Sequence, residues 1–190
     1  MKSALMLGVN PNTVRQQEDF YATEPSALIL FLERLRLDGV EINKQVWECA
    51  CGKRHLGNVL LDYGYEVKLT DIVKRIDGVF EEDFLLSNEP YSGDILTNPP
   101  FNLAEKFVEK GIELLDNGNK LLLFLKIQFL EGQKRKELFK KYPPKYVYCY
   151  SARQKCARDG EFEKYTATTQ FYAWYVWEKG FQGEPIIRWI

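Results

Sequence analysis

Short apolar runs alternate with amphipathic segments along most of the chain. In the amphipathic segments the apolar side chains recur at helical spacing, whereas the runs between them are compact and rich in Val, Leu and aromatic residues. This pattern predicts helices at 26–37, 56–63, 103–115 and 132–141, and strands at 45–50, 66–70, 79–80, 92–97 and 120–125. Strands that alternate with helices predict an α/β fold, in which a mostly parallel sheet is covered by helices on both faces.

The last part of the chain follows a different pattern. Residues 146–150 and 170–177 have the composition of strands, and about twenty polar and glycine-containing residues without a helical period connect them. Two strands joined without a helix predict an antiparallel pair at one edge of the sheet. The aromatic side chains of the second strand are predicted to fill the core on both of its faces; they are Phe171, Tyr172, Trp174, Tyr175 and Trp177.

Size and composition fit a single domain over residues 1–190. Apolar residues make up 45% of the 190 residues and charged residues 28%, and no repeat or linker interrupts them. No apolar run reaches the length of a membrane span, and the apolar N-terminal stretch is too short for a signal peptide. Four cysteines without a C-x-x-C pair and a single histidine argue against a structural zinc site, so no metal and a reduced, cytoplasmic setting are expected.

The charges are unevenly distributed although the net charge is only −1. Residues 1–125 carry 13 basic and 20 acidic side chains, whereas residues 126–164 carry 11 basic and 5 acidic ones. A basic block of this kind can contact phosphate groups. Part of the block is the amphipathic segment 132–141, which is equally typical of a solvated helix face, so both interpretations stay open.

The motif Asn98-Pro99-Pro100-Phe101 follows the predicted strand 92–97 and precedes a predicted helix, so it lies in a loop at the carboxyl end of a strand. Two successive prolines remove two backbone donors and leave carbonyl groups that neither a sheet nor a helix engages. Asn98 adds a side-chain acceptor, and Phe101 adds a flat apolar face. Together these groups can accept both hydrogens of an exocyclic amine on a planar ring that stacks on Phe101. The alternative is an ordinary proline turn.

Three further features precede this motif, each near the end of a predicted strand. Gly52 lets the backbone approach a ligand, and the next helix directs its N-terminus at the same place. Asp71 ends the second strand with a carboxylate suited to ribose hydroxyls, and Asp83 beside Phe84 suits the amino group and ring of an adenine. Ligands of such folds bind at the carboxyl ends of the strands. Four features in this order are what an S-adenosylmethionine-dependent methyltransferase needs.

With these motifs the chain resembles the amino-methyltransferases that act on adenine N6 in DNA, particularly the small single-domain enzymes of phages and prophages. The resemblance extends from residues 19–25 to residues 173–180. It implies a Rossmann-like methyltransferase fold with a mostly parallel seven-stranded sheet and an antiparallel edge hairpin. It also implies S-adenosyl-L-methionine as the cofactor and DNA as the partner.

The resemblance further implies roles for individual residues. The motif 98–101 is expected to hold the target base, and the segment 125–132 is expected to wall the active site. Another set is expected to bind the cofactor from its methionine end, past the sulfonium and the ribose, to its adenine. In that order, these residues are Tyr21, Thr23, Glu48, Gly52, Asp71, Asp83 and Phe84.

One departure from the family pattern lies in the cofactor loop. The family usually has a second glycine two residues after the first, but Lys53, Arg54 and His55 follow Gly52 here. Because a positive φ is costly for Arg54, we expect either another path of the loop or weaker cofactor binding. His55 is expected to open the next helix.

The basic connection at 151–168 is the segment most suited to contact nucleic acid, and its alternative is an ordinary exposed loop. Together with the residue that ends the strand 120–125, the predicted contacts are Lys126, Arg153, Lys155 and Arg158. The chain leaves no room for a separate target-recognition domain, so target preference is expected to be relaxed, short, or supplied by a partner or second subunit. RNA adenine, protein glutamine, and a non-catalytic binding module of the same fold are the competing interpretations.

Overall fold

The computed structural model describes residues 21–158, 160–164 and 170–190, with the main chain alone for Arg158. Within these ranges four helices occur: α1 (Pro25–Leu37), α2 (His55–Asp62), α3 (Ala104–Leu114) and α4 (Gln133–Lys141). The strands in the same ranges are β1 (Tyr21–Thr23), β2 (Gln45–Glu48), β3 (Glu66–Asp71), β4 (Phe80–Glu81), β5 (Asp94–Thr97), β6 (Lys120–Lys126), β7 (Tyr146–Cys149), β8 (Cys156–Arg158), β9 (Tyr172–Glu178) and β10 (Ile186–Trp189).

The main sheet of the described residues has eight strands in the order β10-β7-β9-β6-β5-β2-β3-β4. Neighbouring strands run parallel except at β9, which is antiparallel to both β6 and β7. From β2 the chain adds β3 and β4 on one side and then crosses to β5 on the other side. The strand order therefore reverses between β2 and β5, and open α/β sheets bind ligands beyond the carboxyl ends of such strands.

The predicted parallel sheet with an antiparallel pair is confirmed, with two differences. The sheet has eight strands rather than seven, because β10 adds to β7 in parallel. The pair of β7 and β9 is consequently not at the edge, since β10 lies outside it. A separate two-stranded ribbon, which the sequence pattern does not indicate, pairs β1 at the start of the described chain with β8, which lies between β7 and β9 in sequence.

Helices bury both faces of the sheet. On one face α1 and α2 pack over the strands, and the ring of Phe31 stacks on Trp174 with 4.6 Å between ring centroids. On the other face Phe107 of α3 and Leu138 of α4 join a second apolar cluster. The aromatic side chains of β9 are buried as predicted, but Phe171, which precedes β9, is 50% exposed. None of the helices described in these ranges has the length and apolar character needed to cross a bilayer.

Candidate functional site

A small open cleft lies beyond the carboxyl ends of β2 and β5. It brings together four residues that the sequence predicts for the site, namely Tyr21, Thr23, Glu48 and Asn98. Its remaining walls were not predicted, because they depend on how β1 and the loop before α2 are placed rather than on any local pattern. These additional lining residues are Ala22, Ala50, Cys51, His55 and Leu56.

Asn98 directly follows β5, and its side chain is held in one orientation. Its Nδ2 donates a hydrogen bond to the carbonyl oxygen of Tyr21 at 2.9 Å. The Oδ1 atom is buried and accepts no hydrogen bond within the described part of the chain. A buried acceptor without a donor is unfavourable by about 1–3 kcal/mol, so this oxygen is suited to a donor from a ligand.

The three residues after Asn98 form the rest of the motif. Pro99 is buried and Pro100 exposed, and Phe101 begins a short 3₁₀ turn. The ring of Phe101 is half-buried and lies 5.9 Å from the ring of Tyr172. The ammonium group of Lys126 is 5.1 Å from the centroid of Phe101. The structure thus places a cation beside the ring of Phe101, but neither Phe101 nor Lys126 lines the cleft that contains Asn98.

The ribbon of β1 and β8 closes one side of the cleft. Tyr21 pairs with Arg158 and Thr23 with Cys156 in an antiparallel register. The ribbon is anchored by a hydrogen bond from the Glu24 N–H to the carbonyl oxygen of Lys155 at 3.1 Å. This pairing fixes the Tyr21 carbonyl that holds Asn98, and it places β8 next to the strand that lines the cleft.

Glu48, the last residue of β2, carries a carboxyl group that is almost fully enclosed. The residue is 2% exposed, and its Oε2 has no hydrogen-bond partner in the part of the chain described. Burial raises the pKa of Glu48 well above its ordinary value, and the nearby Asp71 raises this pKa further, whereas the Gly57 backbone N–H and Arg54 lower it. A cationic ligand group in the cleft would offset the cost of the buried negative charge on Glu48.

The loop between β2 and α2 makes a tight left-handed turn. Gly52 has φ 53° and Arg54 has φ 65°, and Arg54 is the one non-glycine residue with positive φ among those described. Arg54 thus adopts the conformation that is costly for a non-glycine residue, and weaker cofactor binding stays a prediction. The prediction that His55 opens the helix is confirmed. The His55 ring packs edge-on against Phe162 with 5.4 Å between centroids, and burial together with Lys53 lowers the pKa of this histidine.

Asp71 ends β3 as predicted, but its carboxylate already has partners. Oδ2 accepts the Gly52 N–H at 2.8 Å, and Oδ1 accepts the Val73 N–H at 3.1 Å and Arg75 Nη1 at 2.8 Å. Asp71 therefore braces the cofactor loop. The predicted contact of Asp71 with a ribose remains a prediction, and it requires some of these hydrogen bonds to be shared or exchanged.

Asp83 and Phe84 follow β4 and are separated from the cleft. Asp83 caps a 3₁₀ turn by accepting the Leu85 N–H at 2.9 Å. The Phe84 ring lies in the core, 2% exposed, between Trp47 at 5.3 Å and Phe107 at 4.9 Å. Its ring is therefore not available as a stacking face, and a cofactor contact at this position would have to come from its main chain.

Three of the predicted nucleic-acid contacts have described side chains, and none of the three lines the cleft. Lys126 ends β6 beside Phe101, and Lys155 precedes β8. The guanidinium carbon of the exposed Arg153 is 3.8 Å from the centroid of the Phe171 ring. The Arg158 side chain lies outside what the structure describes. Contact of these residues with nucleic acid stays a prediction.

The basic helix α4 has two of its five basic side chains in ion pairs, and Lys134, Lys136 and Lys141 are exposed. Arg135 forms an ion pair with Glu105 at 3.0 Å and donates to the carbonyl oxygens of Gln128 and Glu131. Lys140 pairs with Glu137 at 2.8 Å. These contacts favour the solvated-face interpretation for this helix. Among the described residues no group of three His, Cys, Asp or Glu side chains is placed to hold a metal ion.

Comparison with known proteins gives structural matches without sequence matches. No protein-family model matches the chain, and no curated protein matches its sequence. A candidate RNA methyltransferase from Pyrococcus horikoshii is similar with a TM-score of 0.60 and 15% identity, over 93% of this chain and 94% of that chain. An S-adenosylmethionine-dependent O-methyltransferase from Thermotoga maritima is similar with a TM-score of 0.58 and 11% identity, over 95% and 72% of the two chains.

A third similar structure is a candidate class I S-adenosylmethionine-dependent methyltransferase from Listeria monocytogenes. Its TM-score is 0.60 at 12% identity, and the match covers 87% of this chain and 64% of that chain. Likeness at such low identity concerns the fold. The chain has the Rossmann-like methyltransferase fold.

Proposed function

We propose that this chain is an S-adenosylmethionine-dependent methyltransferase that methylates the N6 amine of adenine in DNA. The observation that carries the proposal is the buried Oδ1 of Asn98, which accepts no hydrogen bond from the described residues and lies in the cleft with Glu48. The methyltransferase fold and the resemblance of the 98–101 motif to the adenine N6 family support it. The basic residues beside the motif support a polyanionic substrate.

The residues of the cleft fit the methionine end of the cofactor. Glu48 offers a buried carboxylate oxygen without a partner in the described chain, which suits an ammonium group. The first turn of α2 lies next to Glu48 through Gly57, and this N-terminus together with the preceding Gly52 would suit a carboxylate. Tyr21 and Thr23 complete this end of the cleft. When bound, S-adenosylmethionine supplies a methyl group on a sulfonium.

The chain's own part of the chemistry is to hold and polarise an amine. Asn98 Oδ1 accepts one amine hydrogen and the carbonyl oxygen of Pro99 accepts the other, which favours a pyramidal nitrogen with an available lone pair. Pro100 stiffens the loop, and Phe101 stacks on the ring that carries the amine. No general base is required before the transfer, so catalysis rests on positioning and on stabilisation of the charge that develops on nitrogen.

The decisive experiment follows labelled methyl transfer from S-adenosylmethionine to DNA, RNA and protein in parallel, with the modified residue identified by mass. We expect N6-methyladenine in DNA. Label in RNA adenine or in protein glutamine would show that the chain is a methyltransferase with a different substrate. Cofactor binding without any transfer would favour the binding-module alternative.

The variant Asn98→Ala tests the role of the motif. We expect turnover to fall by about 5- to 150-fold, the loss of a hydrogen bond worth about 1–3 kcal/mol in a closed site, while cofactor affinity measured by calorimetry is retained. Asn102→Ala is the matched control, because Asn102 is exposed in the following turn. Equal loss of turnover and cofactor binding in Asn98→Ala would mean that Asn98 is structural only.

A further inference from the structure

Phe171 differs from the other aromatic residues at this end of the sheet. Tyr172, Trp174, Tyr175 and Trp177 are all buried, whereas Phe171 is 50% exposed. An exposed phenyl ring adds nothing to the core. A single exposed apolar side chain is ordinary by itself, as Phe80 and Trp189 show, so the inference depends on what lies against this ring.

The exposed ring of Phe171 carries a cation on one face. The guanidinium carbon of Arg153 lies 3.8 Å from the ring centroid, the distance of a close cation–π stack. Half of the residue's surface remains exposed although the guanidinium covers one face. The pair thus presents planar apolar surface together with a positive charge, and nucleobases with their phosphates are bound by this combination.

The main chain of Phe171 is fixed beside the proposed catalytic motif. Its carbonyl oxygen accepts the Ile127 N–H at 2.9 Å. The preceding residue, Lys126, pairs in register with Tyr172 and holds its ammonium group 5.1 Å from the Phe101 ring. The main chain of Phe171 therefore adjoins the end of β6, whose Lys126 lies beside the ring predicted to stack on the target base.

We propose that Phe171 and Arg153 bind the base next to the target adenine, and that the chain acts on an unpaired strand. This inference rests on the proposed function and specifies its substrate. In a duplex the faces of the neighbouring base are covered by stacking and its edge by pairing, so that base cannot lie on Phe171. In a single strand, or in a locally opened duplex, the face is available at low cost.

The test uses oligonucleotides with 2-aminopurine next to one adenine, because its fluorescence is quenched when it stacks on an aromatic ring. Binding is measured without cofactor, for the single strand and for the same sequence in a duplex. We expect quenching and tighter binding for the single strand. Phe171→Ala should weaken this binding by about 5- to 100-fold and abolish the quenching, as expected for one lost base stack.

Two further variants separate stacking from general effects. Phe171→Trp should retain binding, since it keeps a planar ring. Phe80→Ala is the matched control, because Phe80 is 73% exposed on β4 at the opposite side of the sheet; we expect it to bind like the wild type. Wild-type affinity and quenching in Phe171→Ala, or a preference of the wild type for duplex, would overturn the inference.

The binding assay tests the stacking site and the transfer assay tests the proposed function, so either proposal can be contradicted without the other. If Phe171-dependent quenching occurs but no methyl group is transferred, the stacking site stands and the proposed function is wrong. If DNA is methylated and Phe171→Ala has the wild-type ratio of kcat to KM on single strands, the proposed function stands and the stacking site is wrong.

Discussion

Glu48 keeps a carboxyl group where its charge is poorly solvated, and this has a consequence for stability. Its pKa is raised well above the ordinary value of 4.5 in the folded chain, chiefly by burial. The folded state therefore holds this proton more tightly than the unfolded state. By linkage, Glu48 lowers the free energy of unfolding progressively as pH rises from about 4.5 towards its raised folded pKa.

We predict that Glu48→Gln is more stable than the wild type near neutral pH and that the difference vanishes below pH 4.5. The amide has nearly the same shape but no charge to desolvate. Urea denaturation at a series of pH values measures the effect. Cofactor affinity should fall in the same variant, and a constant stability difference at all pH values would contradict the assignment.

Gly57 in α2 leaves room for Glu48. A Cβ atom at this position would lie 2.6 Å from Glu48 Oε2 and 2.5 Å from Leu69 Cδ2. We predict that Gly57→Ala destabilises the fold by about 1–3 kcal/mol in chemical denaturation and weakens cofactor binding, although alanine normally favours a helix. Asn58→Ala, at the neighbouring exposed position, is the control and should be neutral or slightly stabilising. Equal stability of the two variants would show that Glu48 can move freely.

At the scale of residues, chemistry was predictable where a side chain acts alone. The cost of a positive φ at Arg54 could be anticipated because it is a local property, and Arg54 does have φ 65°. The role of Asn98 as an acceptor stays a prediction, and its Oδ1 has no donor among the described residues. The sequence did not indicate that Asp71 is already engaged by Gly52 and Arg75, or that the Phe84 ring is in the core. Both facts depend on contacts with other elements, which no local pattern specifies.

Among the elements, the ribbon of β1 and β8 is the feature that could not be predicted from the sequence. Each strand has three residues, and their pairing joins Thr23 to Cys156 across 133 positions. No hairpin turn signals such a pairing. The long helices and strands were predicted closely, since each carries its own apolar period over at least two turns or several alternations.

The packing of residues 160–162 on the start of α2 can be tested through His55, the single histidine of the chain. A Cβ atom on Gly160 would lie 2.7 Å from the His55 ring, and Gly160 also has φ 77°. We predict that Gly160→Ala displaces this segment and raises the pKa of His55 towards 6.5, since burial is the main cause of its lowered value. A histidine NMR titration measures it directly.

Gly39→Ala is the matched control for this prediction. Gly39 has a similar φ of 68°, but a Cβ atom there would have no neighbour within 4 Å among the described residues. The Gly39→Ala substitution therefore introduces the same backbone strain without a contact with His55. An unchanged pKa of His55 in Gly160→Ala would show that the segment does not cover the histidine in solution.

For the whole molecule, the proposed binding of nucleic acid depends more on where the basic side chains lie than on the net charge. The net charge is −1, yet Lys126 lies beside the Phe101 ring, Arg153 lies on the Phe171 ring and Lys155 precedes β8, and we expect the proposed substrate to contact all three. Three contacts with phosphates of a single strand predict that the logarithm of the binding constant falls with the logarithm of salt concentration with a slope of about −2.

We predict that Lys155→Gln reduces this slope by about 0.7 in fluorescence anisotropy at several salt concentrations. Lys140→Gln removes the same charge from α4, where Lys140 is paired with Glu137. Its slope should equal that of the wild type. If the slope were reduced in Lys140→Gln and not in Lys155→Gln, the phosphate contacts would lie on α4 instead.

The architecture as a whole was predictable from the alternation of strands and helices, but the order of strands at one side was not. The short edge strand β10 carries large apolar side chains that are exposed, namely Ile186, Ile187 and Trp189. Its sequence therefore shows no alternation of buried and exposed positions that would predict a strand. Its pairing with β7 in parallel is decided by the space beside β7 rather than by its own sequence.

The place of β9 between β6 and β7 bears on how the chain is made. Until residues 172–178 have left the ribosome, the edge of β6 has no partner on that side, and its run Leu121–Leu125 is almost entirely apolar. An open, apolar strand edge in a nascent chain readily pairs with other chains. Premature termination just before residue 172 should therefore yield aggregates rather than a weakly active fragment.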